Sequence, residues 1–122
     1  MTSGAPTSFD EFWPFYVAQH ARAATRTWHL VGTTLALVTL AGLAWASPLL
    51  VVPAALVLGY GCAWIGHFFV EHNQPATFRH PLWSFRGDFR MYGLMLRGRM
   101  GAEIARLKAS GVWPSALAEG VE

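Results

Sequence analysis

Cysteine, lysine and charge are all scarce in this chain of 122 residues. Cys62 stands alone, so no internal disulfide and no thiolate cluster can form within the chain. Charged residues make up 13% of the sequence, about half the share usual for a soluble domain. None lies between Arg26 and Glu71, and eight of the nine basic residues are Arg, Lys108 being the exception. The arginines flank apolar segments instead of lying on a polar scaffold, which excludes a nucleic-acid binder. A basic leader ahead of an apolar stretch is missing too, because Asp10 and Glu11 occupy that region. The first apolar helix is expected to serve as its own membrane signal. No internal repeat or long linker is visible, so a single domain is expected.

What the chain has in abundance is apolar material, 53% of its residues. Two uncharged runs, Leu30–Ala46 and Leu49–Val70, are separated only by Ser47 and Pro48. Their lengths, 17 and 22 residues, bracket the roughly 20 needed to cross a hydrocarbon core. A tight helical hairpin follows. Arg22 and Arg26 before it, and Arg79, Arg86 and Arg90 after it, face an uncharged turn, which places both termini in the cytoplasm.

The flanks read as amphipathic helices. Phe9, Phe12, Trp13 and Tyr16 share a helical face within a segment from Ser8 to His20, with Pro14 as a bend or a late first turn. After Pro81, an aromatic stripe of Leu82, Phe85, Phe89, Tyr92 and Leu96 opposes Arg79, Arg86, Arg90 and Arg97, a pattern suited to the headgroup layer. The tryptophans Trp28, Trp45 and Trp83 fit an aromatic belt. The resulting expectation is an all-α membrane helical hairpin with flanking amphipathic interfacial helices. Its parts are a disordered 1–7, an amphipathic helix 8–20, transmembrane helices 28–46 and 49–71, amphipathic helices 82–109 and a loose tail 112–122.

Candidate chemistry rests on the histidines. His20, His29, His67 and His72 lie at or beside the ends of the apolar runs, and His80 follows closely. A hairpin returns the chain to the side it left, so these histidines meet at one membrane face. Ala55, Gly59, Ala63, His67 and Glu71 recur every four residues, and His29, Gly32, Thr33, Ala36 and Thr39 form a comparable small-residue face. Packing the two faces carries His29 toward His67 and Glu71. Imidazoles with a carboxylate suit Zn, Fe or Mn. His67 and His72 stand about 140° apart on an ideal helix, so His72 joins only if the helix ends near Glu71. His20 and His29 face opposite ways unless a break falls near Ala23 to Thr25. Haem held by two axial histidines is a rival, although the small-residue faces leave little width for it.

Tyr16, His20, His29 and Gly32, followed by Gly66, His67, Glu71, Pro75 and Ala76, resemble the small membrane proteins related to the fungal 2-hydroxy fatty acid dioxygenase. The stretch from Gly59 to Met91 is similar to the short bacterial branch of that family. Thr25 departs from it, standing where relatives usually carry Asn. The resemblance implies an Fe(II)-dependent enzyme that shortens a 2-hydroxy fatty acid by one carbon with dioxygen. It puts the functional histidines at His20, His29 and His67, with Glu71 as the matching carboxylate; His72 and His80 stand where relatives carry other residues, so His72 is a candidate ligand by its position beside Glu71 alone.

The expected function is thus a membrane-bound non-haem iron dioxygenase in a bacterial inner membrane, with a fatty acid or lipid as substrate. Arg79, Arg86 and Arg90 are candidates to neutralise the substrate carboxylate. The alternative is a non-enzymatic, membrane-anchored interaction or assembly protein whose histidines are structural. Homo-oligomerisation is expected to be open to either, since two spanning helices bury little between them.

Overall fold

A computed structural model describes residues 6–113, which form helices and turns with no strand among them. The expectations for the two termini fall mostly on residues 1–5 and 114–122, outside the described residues. The chain divides into two compact units, one made of residues 20–72 and the other of residues up to 19 and from 73 onward.

The unit of residues 20–72 is the hairpin. Helix α2 runs over Ala23–Ala41 and closes with a 3-10 turn, Gly42–Ala44. Ser47 then caps helix α3, Pro48–Ile65, by accepting the Leu49 N–H at 3.2 Å, and Pro48 takes the first helical position where no N–H is needed. From Gly66 to Glu71 the helix widens into a π segment. Helix α2 begins five residues before the expected span, because helical hydrogen bonding continues past the charge at Arg26 that limits the apolar run.

Small residues set how closely α2 and α3 approach. A Cβ placed on Gly32 would lie 2.7 Å from the Cys62 Cβ and 2.8 Å from the Gly59 carbonyl oxygen. On the other side of the crossing, Gly59 faces the Ala36 Cβ. Lower down, Gly66 packs on Thr25 and the Trp28 Cβ. These pairings run antiparallel and follow the two small-residue faces read from the sequence.

The outward surface of the hairpin is apolar and uncovered. Both helices are long and apolar enough to cross a membrane, yet only 11% and 22% of the residues in their most apolar windows are buried. Leu49, Leu50, Val57 and Phe69 are mostly exposed. In a core helix of a soluble protein that share would be high, since burial is what stabilises apolar surface in water.

The second unit contains α1 (Phe9–Ala18), a 3-10 turn (Ala76–Phe78), α4 (Pro81–Leu96) and α5 (Met100–Ala109). Ser8 caps α1 by accepting the Glu11 N–H at 3.2 Å, while Glu11 accepts from the Thr7 backbone at 2.9 Å, a reciprocal pair that fixes the helix start. Phe9, Phe12, Trp13, Tyr16 and Val17 are buried together with Met91, Met100 and Leu107. The aromatic face of α1, which the sequence suggests for the membrane interface, is therefore the core of this unit. Tyr16 lies flat against Gly87, whose missing side chain makes room: a Cβ there would sit 3.1 Å from the ring. The face of α4 bearing Leu82, Phe85, Phe89 and Leu96 remains exposed.

Candidate metal centre

Three histidines of the hairpin unit converge. His20 lies in the turn before α2, His29 one-third of the way along α2, and His67 in the π segment. The chain breaks between His20 and Arg22, just ahead of the place where the sequence requires a break, and this frees His20 to turn toward His29. The Nε2 atoms of His20 and His29 are 3.0 Å apart, and those of His29 and His67 are 3.2 Å apart. All three imidazoles are buried, and their ligand atoms fit within 4.8 Å of one another.

The 3.0 and 3.2 Å separations suit pairs of ligands on one ion. Nitrogens at about 2.0–2.1 Å from a common metal lie roughly 2.9 Å apart at a right angle and roughly 3.3 Å apart at the tetrahedral angle. Without an ion the arrangement is awkward, because a proton on one Nε2 can bridge to only one neighbour. The His29 Nε2 faces two such neighbours. A divalent cation accepts all three lone pairs at once, and the three histidines can bind a metal ion on this geometry. Three ligands on one side leave the other coordination positions for water or substrate. The 3.2 Å between the His29 and His67 Nε2 atoms leaves no width for a haem ring between them in this arrangement.

Glu71 does not join this group. Its Oε1 accepts the Arg22 backbone N–H at 3.0 Å and the Thr25 hydroxyl at 2.6 Å. The expected carboxylate ligand is thus taken up by donors at the start of α2, a helix whose cap residue Arg22 supplies no side-chain hydrogen bond of its own. The wider π turn also changes the phase with which residues after His67 continue the four-residue ridge. His72 is exposed and outside the cluster as well. It ends the π segment in the left-handed conformation, φ 62°, with its N–H donating to the His67 carbonyl.

The remaining candidates belong to the other unit. His80 stacks on Trp83, ring centroids 5.4 Å apart, and meets Phe12 edge-on. Arg86 lies 4.0 Å above the Phe9 ring. Arg90 lies 4.4 Å above Trp13 and 3.9 Å from the Glu103 carboxylate. Arg79 is exposed after the 3-10 turn. Two residues near the cluster escape a reading based on histidines alone. Arg26 donates to the carbonyls of His20 and Ala21, and Thr25 donates to Glu71. A charge inside a helix long and apolar enough to cross a membrane is a usable signal, because in a bilayer it is costly unless it serves a purpose.

Comparison with known families matches residues 6–100 to the family described as 2-hydroxy-palmitic acid dioxygenase Mpo1-like. No curated protein and no solved structure matches the chain.

Proposed function

Since the chain belongs to the Mpo1-like family, we propose that it is a membrane-bound, non-haem Fe(II) dioxygenase that shortens a 2-hydroxy fatty acid by one carbon. The observation that carries this reading is the convergence of the His20, His29 and His67 Nε2 atoms, 3.0 and 3.2 Å apart for the two adjacent pairs. The family description supports the substrate class, and the uncovered apolar surface of the hairpin supports a bilayer location.

The reaction balances without another reductant. C1 of the hydroxy acid leaves as carbon dioxide, C2 becomes the new carboxyl, and the four electrons released reduce dioxygen, giving one water. A bound iron would supply the activation of dioxygen that organic side chains cannot provide. The protein holds three imidazoles buried and close together. His20, His29 and His67 would hold the iron and would leave coordination positions for a hydroxyl and a carboxylate of the substrate. Burial keeps bulk water from the ligand nitrogens, and the Glu71 and Arg26 hydrogen bonds hold the turn that carries His20. An acyl tail requires an apolar medium, which the bilayer around α2 and α3 provides.

The test is direct. Protein purified anaerobically in detergent and loaded with Fe(II) is given 2-hydroxypalmitic acid and air, and the products are analysed by mass spectrometry. The expected product is the fatty acid with one carbon fewer, formed only with iron and dioxygen and lost in His67→Ala. Unchanged substrate together with metal-free protein of full stability would favour the scaffold reading instead.

A further inference from the structure

Two of the three ligands stand on regular structure, His29 within α2 and His67 in the π segment, while His20 lies in a turn. A turn residue has no helical hydrogen-bond ladder to hold its backbone. The hydrogen bonds made by this turn therefore bear on where the His20 imidazole sits, 3.0 Å from His29. On one side, the Arg26 Nη1 donates to the carbonyl oxygens of His20 and Ala21 at 2.7 and 2.9 Å. On the other, the Glu71 Oε1 accepts the Arg22 N–H at 3.0 Å and the Thr25 hydroxyl at 2.6 Å. The turn is therefore gripped at its carbonyls by a cation and at its N–H by an anion.

The two gripping residues sit on the elements that carry the other ligands. Arg26 precedes His29 by three residues in α2, and Glu71 follows His67 by four in the π segment. Displacing either element relative to the other would pull the turn with it. We propose that Arg26 and Glu71 are positioning residues that act through His20, clamping this third ligand into place and so setting the affinity of the site for a divalent metal. This inference rests on the reading of the triad as a metal centre, and it assigns Glu71 to hydrogen bonding with the turn in place of direct ligation.

The probe is Co(II), titrated under argon into the metal-free, full-length chain in detergent, with its visible ligand-field bands and bound-metal analysis as readouts. Replacing partners that orient ligands typically lowers metal affinity 10- to 100-fold. Glu71→Ala and Arg26→Gln are expected to do so. At saturating Co(II) their bands should match the wild type, because the donor atoms are unchanged. Glu71→Gln keeps an acceptor oxygen for Arg22 and Thr25 and should recover most of the affinity. In a His20→Ala background, Glu71→Ala should cost nothing further, since the clamp has no ligand left to place. Thr25→Val removes one hydroxyl donor at nearly constant shape and should give a smaller loss in the same direction, which serves if Glu71→Ala fails to fold.

Wild-type affinity in both Glu71→Ala and Thr25→Val would overturn the clamp. So would altered bands in Glu71→Ala at saturation, which would make Glu71 a ligand, or a full further loss in the His20→Ala background. A wild-type chain that binds no Co(II) would instead remove the metal-centre reading, and the clamp with it.

Discussion

The Nε2 atoms of His29 and His67 stand 3.2 Å apart although 38 residues separate them in the chain. Their approach is set by the helix crossing just beyond them. Gly32 is one turn from His29 and lies against Gly59 and Cys62, so close that any side chain there would overlap the facing backbone. The histidine cluster and the helix packing are thus one geometric problem, and the glycines solve it for the histidines.

Gly32→Ala should therefore damage both. The new methyl would meet the Gly59 carbonyl oxygen at 2.8 Å, a backbone atom that cannot step aside as a flexible side chain can. Overpacking of this kind costs roughly 1–3 kcal/mol, and the separated helices should bind metal more weakly. Gly61→Ala is the control, since a Cβ there would meet no atom of the described residues within 4 Å beyond its own stretch of helix. Thermal unfolding in detergent together with Co(II) titration should show a loss for the first variant and none for the second.

Metal should stabilise the fold in proportion to its binding. A ligand at a hundred times its Kd adds about 2.7 kcal/mol when it binds only the folded state. Adding Zn(II) or Co(II) should raise the unfolding temperature of the wild type and leave His29→Ala and His67→Ala unmoved. An equal rise in the variants would place the ion elsewhere on the protein.

The hairpin and its zipper were legible because both rest on short-range rules: uncharged length, a Ser-Pro turn, and small residues at fixed spacing. The histidine cluster followed from topology, since a chain that doubles back must bring His29 and His67 to one end. Glu71 was harder to read. Its spacing from His67 suits a shared face on an α-helix, but a π segment forms there, and the start of α2 offers donors that claim the carboxylate. The aromatic face of α1 had two equally apolar destinations, lipid or protein. Periodicity cannot choose between them, and contact with Met91 and Gly87 decided for the protein.

His72 should prove to be a backbone residue. It holds φ at 62°, a conformation that disfavours a side chain with a Cβ by about 1–2 kcal/mol. His72→Gly should leave metal content unchanged and raise stability by up to about 1 kcal/mol. His72→Val should lower it, because branching at Cβ worsens the same clash. Loss of metal in His72→Gly would instead return this imidazole to the ligand set.

Two carboxyl groups outside the hairpin should tilt stability in opposite directions with pH. Burial raises Asp88 from its ordinary 3.8 to about 7, a hydrogen bond from the Tyr16 hydroxyl opposing only part of the rise. Its folded form therefore keeps a proton that the unfolded chain has lost, so stability falls as pH rises from about 4 to about 7. Glu103 behaves in the reverse sense. The Arg106 hydrogen bonds, then the Trp13 indole and the charges of Arg106 and Arg90, lower it from 4.5 to about 2. Its contribution is complete above 4.5 and is lost as pH falls toward 2. For this pair the maximum lies at roughly pH 4 to 5, more acid than the usual range. Asp88→Asn should flatten the decline between pH 4 and 7, and Glu103→Gln should flatten the acid limb, both read from near-ultraviolet circular dichroism melts across pH 2 to 8. A wild-type stability that climbs from pH 4 to 7, unaltered in Asp88→Asn, would mean that Asp88 is ionised within the fold.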